Sequence, residues 1–538
     1  MNNKTAILLV WLCCAAVSTA AQQQYAAGVW MPDNGDGTYR NPVIHADYSD
    51  PDAIRVGNDF YMTASSFNAI PGLPILHSGD LVNWQLIGHA LPQLVPAAHF
   101  SVPRYGEGVW APAIRYHNNE FYIYYPDPDF GIYLIKASSI AGPWSAPVLV
   151  EEGKGLIDPC PFWDDNGKAY LVHAFAGSRA GIKSILVIQE MNTGGTQTTG
   201  DDVLVYDGHQ LDPTVEGPKL YKRHGYYYIF APAGGVSTGW QLALRAKNIY
   251  GPYERRVVMD KGNSDINGPH QGAWVQTANG EDWFLHFQDK GAFGRVVHLQ
   301  PMHWMNDWPV IGEDTDGDGT GEPVLRYKKP ATGKIDPATA PAASDEFNST
   351  RMGLQWQWPA NKKAGWYFLT GSALRLNAVT RTDSSANLWT TPNLLLQKFP
   401  ADSFTATVKC SFKPRATGEQ TGLLLTGMDY AGISLIHKAD GIYLQYIHCS
   451  GADKGTPEQN EEIVKLNGGN CYLRVQVSKT ARCRFSYSLD GNRFENLPGD
   501  FTAKPGKWMG AKLGLYCMGT IKTNDNGWSE FDWFRFSK

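Results

Sequence analysis

A chain of 538 residues is longer than one ordinary domain, so two domains are the starting expectation. With 43% hydrophobic and 18% charged residues its make-up is that of a globular protein, and a net charge of −5 without charge blocks excludes the basic patch of a nucleic-acid binder. The unusual quantity is the aromatic content, 12% with 18 Trp and 26 Tyr; such side chains favour strands and offer apolar faces to sugar rings.

The chain opens with Lys4, an apolar run from Ala6 to Val17 and the small residues Ser18-Thr19-Ala20-Ala21. This pattern predicts a secretory signal over residues 1–21, and with it export to the periplasm. The apolar run is too short for a permanent membrane span, and no other stretch reads as one. Cys13 and Cys14 follow the bulky Trp11-Leu12, where a lipidation motif wants small residues.

A repeat follows. A Gly/Asn-type turn and then an aromatic-rich strand recur in GNDFYMTASSF, NNEFYIYYP, NGKAYLVHAF, HGYYYIFAPAGG and NGEDWFLHF. The strand aromatics are Tyr61, Tyr122, Tyr170, Tyr228 and Trp283, spaced 48 to 61 residues apart. Such a period of strands and turns is the signature of propeller blades, which predicts an all-β, five-bladed β-propeller over 38–326. Residues 327–343, rich in Pro, Ala and Thr, read as a linker. From 344 to 538, alternating strands such as SFTATVKCSF and CYLRVQVS, with an Asp490-Gly491 hairpin turn, predict a β-sandwich. Beyond the signal there are six cysteines and no C-x-x-C pair, so no zinc site of that type is expected; bridges and buried thiols are both open.

Three acids have matching surroundings: Asp50 in YSDPDAIRV, Asp158 in GLIDPCPF and Glu216 in TVEGPKLY. Each has Pro one or two residues later and leads into a blade. Pro is expected to hold the preceding residue extended. Acids from different blades converging on the central funnel suit glycoside hydrolysis, which needs a proton donor at the leaving oxygen and a carboxylate that activates water. Asp314-x-Asp316-x-Asp318-Gly319 looks like half a calcium loop, but Leu325 occupies the place of the bidentate Glu, so a solvated acidic turn is expected there.

The stretches RNPVIHADYSDPDAIRVGNDFYMTASSF, GVWAPAIRYHNNEFYIYY, IDPCPFWDDNGKAYLV, EGPKLYKRHGYYYIFAPAGG and GPHQGAWVQTANGEDWFLHF are similar, in order and spacing, to glycoside hydrolase family 43. The C-terminal part resembles the concanavalin-like sandwich of several members. The resemblance implies Asp50 as general base, Glu216 as general acid and Asp158 as the carboxylate that tunes and orients the acid, with Asp52 as the rival for Asp50. It implies that Arg295 contacts the bound sugar, with a place close to Asp158 or Glu216 open to it as well. It implies that His270 sits at the propeller centre beside a metal or water, and that Trp110 and Phe67 shape the pocket. No cofactor is implied for the chemistry, and a structural Ca2+ would be sought at Asp345 and Asp532. The implied activity is exo-acting, inverting release of non-reducing-end α-L-arabinofuranosyl residues from plant arabinoxylan, arabinosylated xyloglucan or their oligosaccharides. The alternatives are a β-D-xylosidase, a retaining propeller enzyme of the invertase type, and a glycan-binding propeller that does not cleave.

Overall fold

The computed structural model describes residues 28–334, 336–381 and 387–538, so the expected signal over 1–21 lies outside the described residues. Five four-stranded antiparallel sheets follow one another along the chain, each a meander whose strands pair in chain order. Blade I spans residues 52–91, blade II 113–152, blade III 156–207, blade IV 219–259 and blade V 270–311. The five repeat aromatics all fall on the second strands of their blades: Asp59–Thr63, Glu120–Asp127, Ala169–Phe175, Tyr226–Ala233 and Asp282–Asp289. The repeat is therefore a packing repeat, because a large aromatic at that register fills the seam between adjacent sheets.

The blades close into a ring. Ile75 and Tyr61 of blade I pack with Ile123 and Ile135 of blade II. Tyr124 and Leu134 meet Leu171 of blade III, and Val172 and Ile188 meet Ile229 and Leu242 of blade IV. Phe230 and Tyr228 meet Phe284 of blade V, and Ala273, Val275 and Leu285 meet Ala53, Phe60 and Met62 of blade I. The seam between blades V and I is bridged by the segment that precedes blade I. Ile44 pairs with Val297, Asn41 bonds Leu299 and Val324 through its side-chain amide, and Thr38–Arg40 forms a ribbon with Arg326–Lys328. Segments from the two ends of the propeller that clamp the same blade make ring opening cost several contacts at once.

The segment that reads as a linker is fastened to blade I. Asp336 accepts the Gly79 amide, Thr339 N donates to Asn83, and Lys329 pairs with Asp33 and Asp80. Its polar and Pro-rich composition lacks periodicity because it binds as an extended strap, through local hydrogen bonds rather than through an apolar face.

Beyond it, two sheets whose long strands pair antiparallel face each other, with Phe404–Lys413, Asn470–Val477 and Trp528–Ser537 in one and Gln420–Thr426, Tyr430–Lys438 and Lys512–Gly519 in the other. Phe404–Lys413 alternates between buried and half-buried positions up to Phe412 and ends on the exposed Lys413, and its Val408 and Phe412 share the core with Leu423, Ile433 and Leu513. All six described cysteines are buried and free. Among the described residues no helix is long and apolar enough to cross a membrane.

The sandwich is seated on the propeller. Ile70 and Trp358 exchange backbone hydrogen bonds at 2.8 and 2.6 Å, and Ala511 N donates to Ala292 O at 2.8 Å. This seating brings the turn at residues 505–510 over the propeller face that holds the acids.

Candidate active site

Asp50, Asp158 and Glu216 line one pocket together with Phe67, Trp110, Gln271, Arg295 and Trp508. The three acids come from the entries of blades I, III and IV, so the ring closure brings together residues far apart in sequence.

The backbone at these entries differs from the expectation. Asp50 and Asp158, each directly before Pro, are not extended: their φ angles are +54° and +58°. The corresponding residues of blades IV and V, Gly217 and Gln271, have φ +61° and +35°. A left-handed residue at the start of these four inner strands turns the side chain off the strand's own alternation. For a non-glycine this costs about 1–3 kcal/mol and persists only where the surroundings impose it. Here they do. Asp50 accepts Ser49 Oγ at 2.7 Å and Ser65 Oγ at 2.6 Å, and Arg295 at 3.1 Å. Asp158 accepts the Gly217 amide at 2.7 Å and the Gln271 side-chain amide at 3.2 Å.

Glu216 stands one residue before the left-handed position, so the three acids are not at equivalent blade positions. The offset has a consequence for access. The Glu216 side chain keeps 30% exposure, whereas that of Asp50 keeps 5%.

Burial, and then the charges of Asp158 and Asp50, push the Glu216 carboxyl well above the usual carboxylate range. Asp158 is raised by burial and then by Asp50. A proton is thus favoured on Glu216, the most accessible acid of the three.

Arg295 pairs with Asp50 rather than with Asp158 or Glu216, and it also receives no freedom from its backbone: its amide donates to Asp47 at 2.9 Å. Its guanidinium lies 4.8 Å from the Phe287 ring centroid. Asp52, the rival to Asp50, is fully buried and faces away from the pocket. It accepts the Ile114 amide at 2.8 Å and Arg115 at 2.6 Å, which leaves it as a link between blades I and II.

Trp110 and Phe67 lie edge to face, 6.4 Å apart, in the pocket wall. Trp508, from the sandwich, packs edge to face against Trp110 with ring centroids 6.1 Å apart, and the Arg295 guanidinium lies 6.0 Å from its ring. Trp508 has φ +66° and remains 48% exposed, a large aromatic held out of its own domain's core. Neither Trp508 nor Ser49 and Ser65 carry a local sequence signal. Gln271 lies inside the GPHQGAW stretch, where its neighbour His270 draws the eye first.

His270 is completely buried, with Nε2 3.5 Å from Glu216 Oε1. Burial, and then Arg295, lower it to about 3, so it is neutral. Among the described residues neither ring nitrogen has a protein hydrogen-bond partner. These orphaned atoms fit a water or a cation at this point, with His270 as the protein's nitrogen donor.

Both oxygens of Asp345 are used, by the Phe347 amide and the Trp356 indole, each at 2.9 Å, and Asp532 pairs with Lys409. At the acidic turn, Asp314 accepts the Gly317 and Gly319 amides at 2.7 and 2.9 Å, and the loop is held by its own backbone.

A five-bladed propeller with three acids in one aromatic-walled pocket and a sandwich closing one side defines a glycoside hydrolase of the propeller class. The comparisons agree with that class. Residues 39–309 match the family described as Glycosyl hydrolases family 43, and residues 344–537 match its Beta xylosidase C-terminal Concanavalin A-like domain. The chain belongs to glycoside hydrolase family 43 and is a glycosidase. It is 32% identical to a beta-xylosidase of Formosa agariphila, over 95% of this chain and 92% of that one. It is 28% identical to the non-reducing end alpha-L-arabinofuranosidase BoGH43B of Bacteroides ovatus, over 95% and 97%. The crystal structure of the GH43 BlXynB protein from Bacillus licheniformis superposes with a TM-score of 0.79 at 26% identity, over 93% and 99%.

Proposed function

We propose that this protein removes single terminal pentose units from plant hemicellulose, or its oligosaccharides, by single displacement with inversion. The observation that carries the reading is the shared pocket of Asp50, Asp158 and Glu216, in which the accessible acid is also the one whose proton is favoured.

Glu216 donates its proton to the glycosidic oxygen as the bond breaks. Asp50, fixed by Ser49, Ser65 and Arg295, takes a proton from a water that attacks the opposite face of the sugar. Asp158 does not touch the reacting bond; its charge raises Glu216, and its own position is set by Gly217 and Gln271. As the sugar ring gains positive character, the buried carboxylate of Asp50 stabilises it. Trp508 closes one side of the pocket, which favours a chain end over an internal segment of a polymer.

The sugar is an α-L-arabinofuranosyl unit in the reading that follows from the sequence. A β-D-xylosyl unit is a second reading, favoured by the name beta-xylosidase, which recurs among the relatives. Both sugars present similar stereochemistry at the reacting bond, so the acids serve either one. Hydrolysis of nitrophenyl α-L-arabinofuranoside beside nitrophenyl β-D-xyloside decides between them. NMR of the first-released anomer tests the displacement: the inverted anomer is expected, and net retention overturns the assignment of Asp50 as base. A Glu216→Ala protein that turns over substrate as fast as the parent overturns the reading as a whole and leaves a glycan-binding role for the pocket.

A further inference from the structure

Away from the pocket, three side chains from two blades converge. Glu151 lies on the outer strand of blade II (Val148–Glu152), His173 on the second strand of blade III (Ala169–Phe175), and Asp202 directly before blade III's outer strand (Val203–Asp207). A ligand atom of each lies within 4.8 Å of the others.

The ring of His173 is completely buried, and its Nδ1 lies 3.2 Å from the Ala174 carbonyl oxygen. A carbonyl only accepts, so Nδ1 carries the proton and Nε2 presents a lone pair. That lone pair faces Asp202 Oδ1 at 3.3 Å, and the buried Glu151 Oε2 has no donor. Three acceptors thus meet, and among the described residues no donor from outside the group reaches His173 Nε2 or Glu151 Oε2.

The chain contains its own control. His286 occupies the same strand position in blade V and makes the same contact, Nδ1 to Phe287 O at 3.1 Å. There Nε2 lies 3.0 Å from the Gln300 side-chain amide, which completes the ring's hydrogen bonding. The matching glutamine of blade III is Gln189: it pairs with Leu171, two residues before His173, as Gln300 pairs with Phe284, two before His286. Gln189 instead donates its amide to Gly200 O at 2.7 Å. Blade III therefore gives up the amide that satisfies the histidine in blade V, and two carboxylates take its place, Asp202 from blade III and Glu151 from blade II.

We propose that Glu151, His173 and Asp202 bind a divalent transition metal of the zinc class. An imidazole with two carboxylates suits such an ion better than calcium, which prefers oxygen ligands only. With zinc–ligand distances of about 2.0–2.2 Å, neighbouring ligand atoms of a tetrahedron stand about 3.3–3.6 Å apart, which the His173–Asp202 pair at 3.3 Å already matches. The Asp202 side chain is 37% exposed and provides the entry path and a place for a water ligand. The role is structural. The ion ties the outer strand of blade II to the 192–202 hairpin of blade III, where Thr198 N reaches Val150 O at 3.4 Å.

The test uses the full, untagged chain stripped with a chelator, titrated calorimetrically with zinc chloride and separately with calcium chloride, with thermal unfolding followed in parallel. Stoichiometric zinc uptake with a raised unfolding midpoint is expected, together with loss of that uptake in Asp202→Asn and in Glu151→Gln and its retention in Asp314→Asn. Asp202 lies in an exposed loop, so its variant remains folded and keeps the test decisive. Absence of zinc uptake by the parent overturns the proposal, as does uptake that survives both Asp202→Asn and Glu151→Gln. Binding of calcium but not zinc also overturns it.

Discussion

Asp47 and Arg295 are joined through the backbone: one carboxylate oxygen of Asp47 accepts the Arg295 amide, and the other accepts the Gly510 amide of the sandwich, both at 2.9 Å. A single buried side chain therefore registers the arginine that holds Asp50 against the turn that carries Trp508. The two domains are coupled at the pocket itself, and Asp47 acts there as a positioning residue.

Replacing Asp47 by Ala leaves two buried amides without an acceptor, at a cost of about 1–3 kcal/mol each. It also removes the negative charge that opposes the depression of Lys512, which burial and then Lys398 lower to about 7. The expected outcome is a lowered unfolding midpoint together with a fall in kcat/KM. Thermal unfolding and steady-state kinetics check it, and unchanged kinetics in a folded variant would show that the coupling does not reach the pocket.

Glu216→Gln removes the proton donor while keeping the shape. The rate on natural oligosaccharides should fall by about 10²–10⁴-fold. On an activated nitrophenyl glycoside, whose leaving group needs less protonation, the fall should be much smaller. A pair of substrates measured on one variant reads the difference directly, and equal losses on both would remove Glu216 from the role of acid.

The charge of Asp158 raises Glu216, so Asp158→Asn should lower the Glu216 carboxyl. Glu216 then loses its proton at a lower pH, and the alkaline limb of the kcat/KM profile should move toward acid. The same shift has a stability sign. A carboxyl raised in the fold binds its proton more tightly there than in the unfolded chain. The stabilisation is complete below the unfolded carboxylate value and is lost as pH rises through the folded one. Glu216→Gln should therefore be relatively more stable than the parent at alkaline pH, which unfolding measured across pH will show.

Trp508→Ala opens the wall supplied by the sandwich. With aromatic contact contributing about 0.5–1.5 kcal/mol beyond area, KM should rise several-fold. The variant should also gain activity on longer or branched substrates relative to the parent. A profile of activity against chain length checks this, and an unchanged profile would exclude Trp508 from substrate selection.

The blades were legible because a blade is a local object. A turn, an aromatic at a fixed register and a short alternating strand are all written within a dozen residues, and packing against the next copy only multiplies them. Asp50, Asp158 and Glu216 were legible for the same reason, through the Pro that follows each. The conformation at Asp50 and Asp158 was not legible, because Pro alone favours an extended neighbour. Only the surrounding donors, contributed by Ser65, Arg295, Gly217 and Gln271, hold the left-handed turn.

By itself, the sequence determined the repeat, the order of the two domains and the three acids, since each depends on neighbours in the chain. The tertiary structure decided that Asp52 serves a blade seam while Asp50 faces the pocket, that Arg295 serves Asp50, and that Trp508 forms a wall. It also decided that His173 and His286, at one strand position, meet different partners. The physical reason is closure: a ring and a docked sandwich bring together side chains hundreds of residues apart, and no local pattern records which of them will meet.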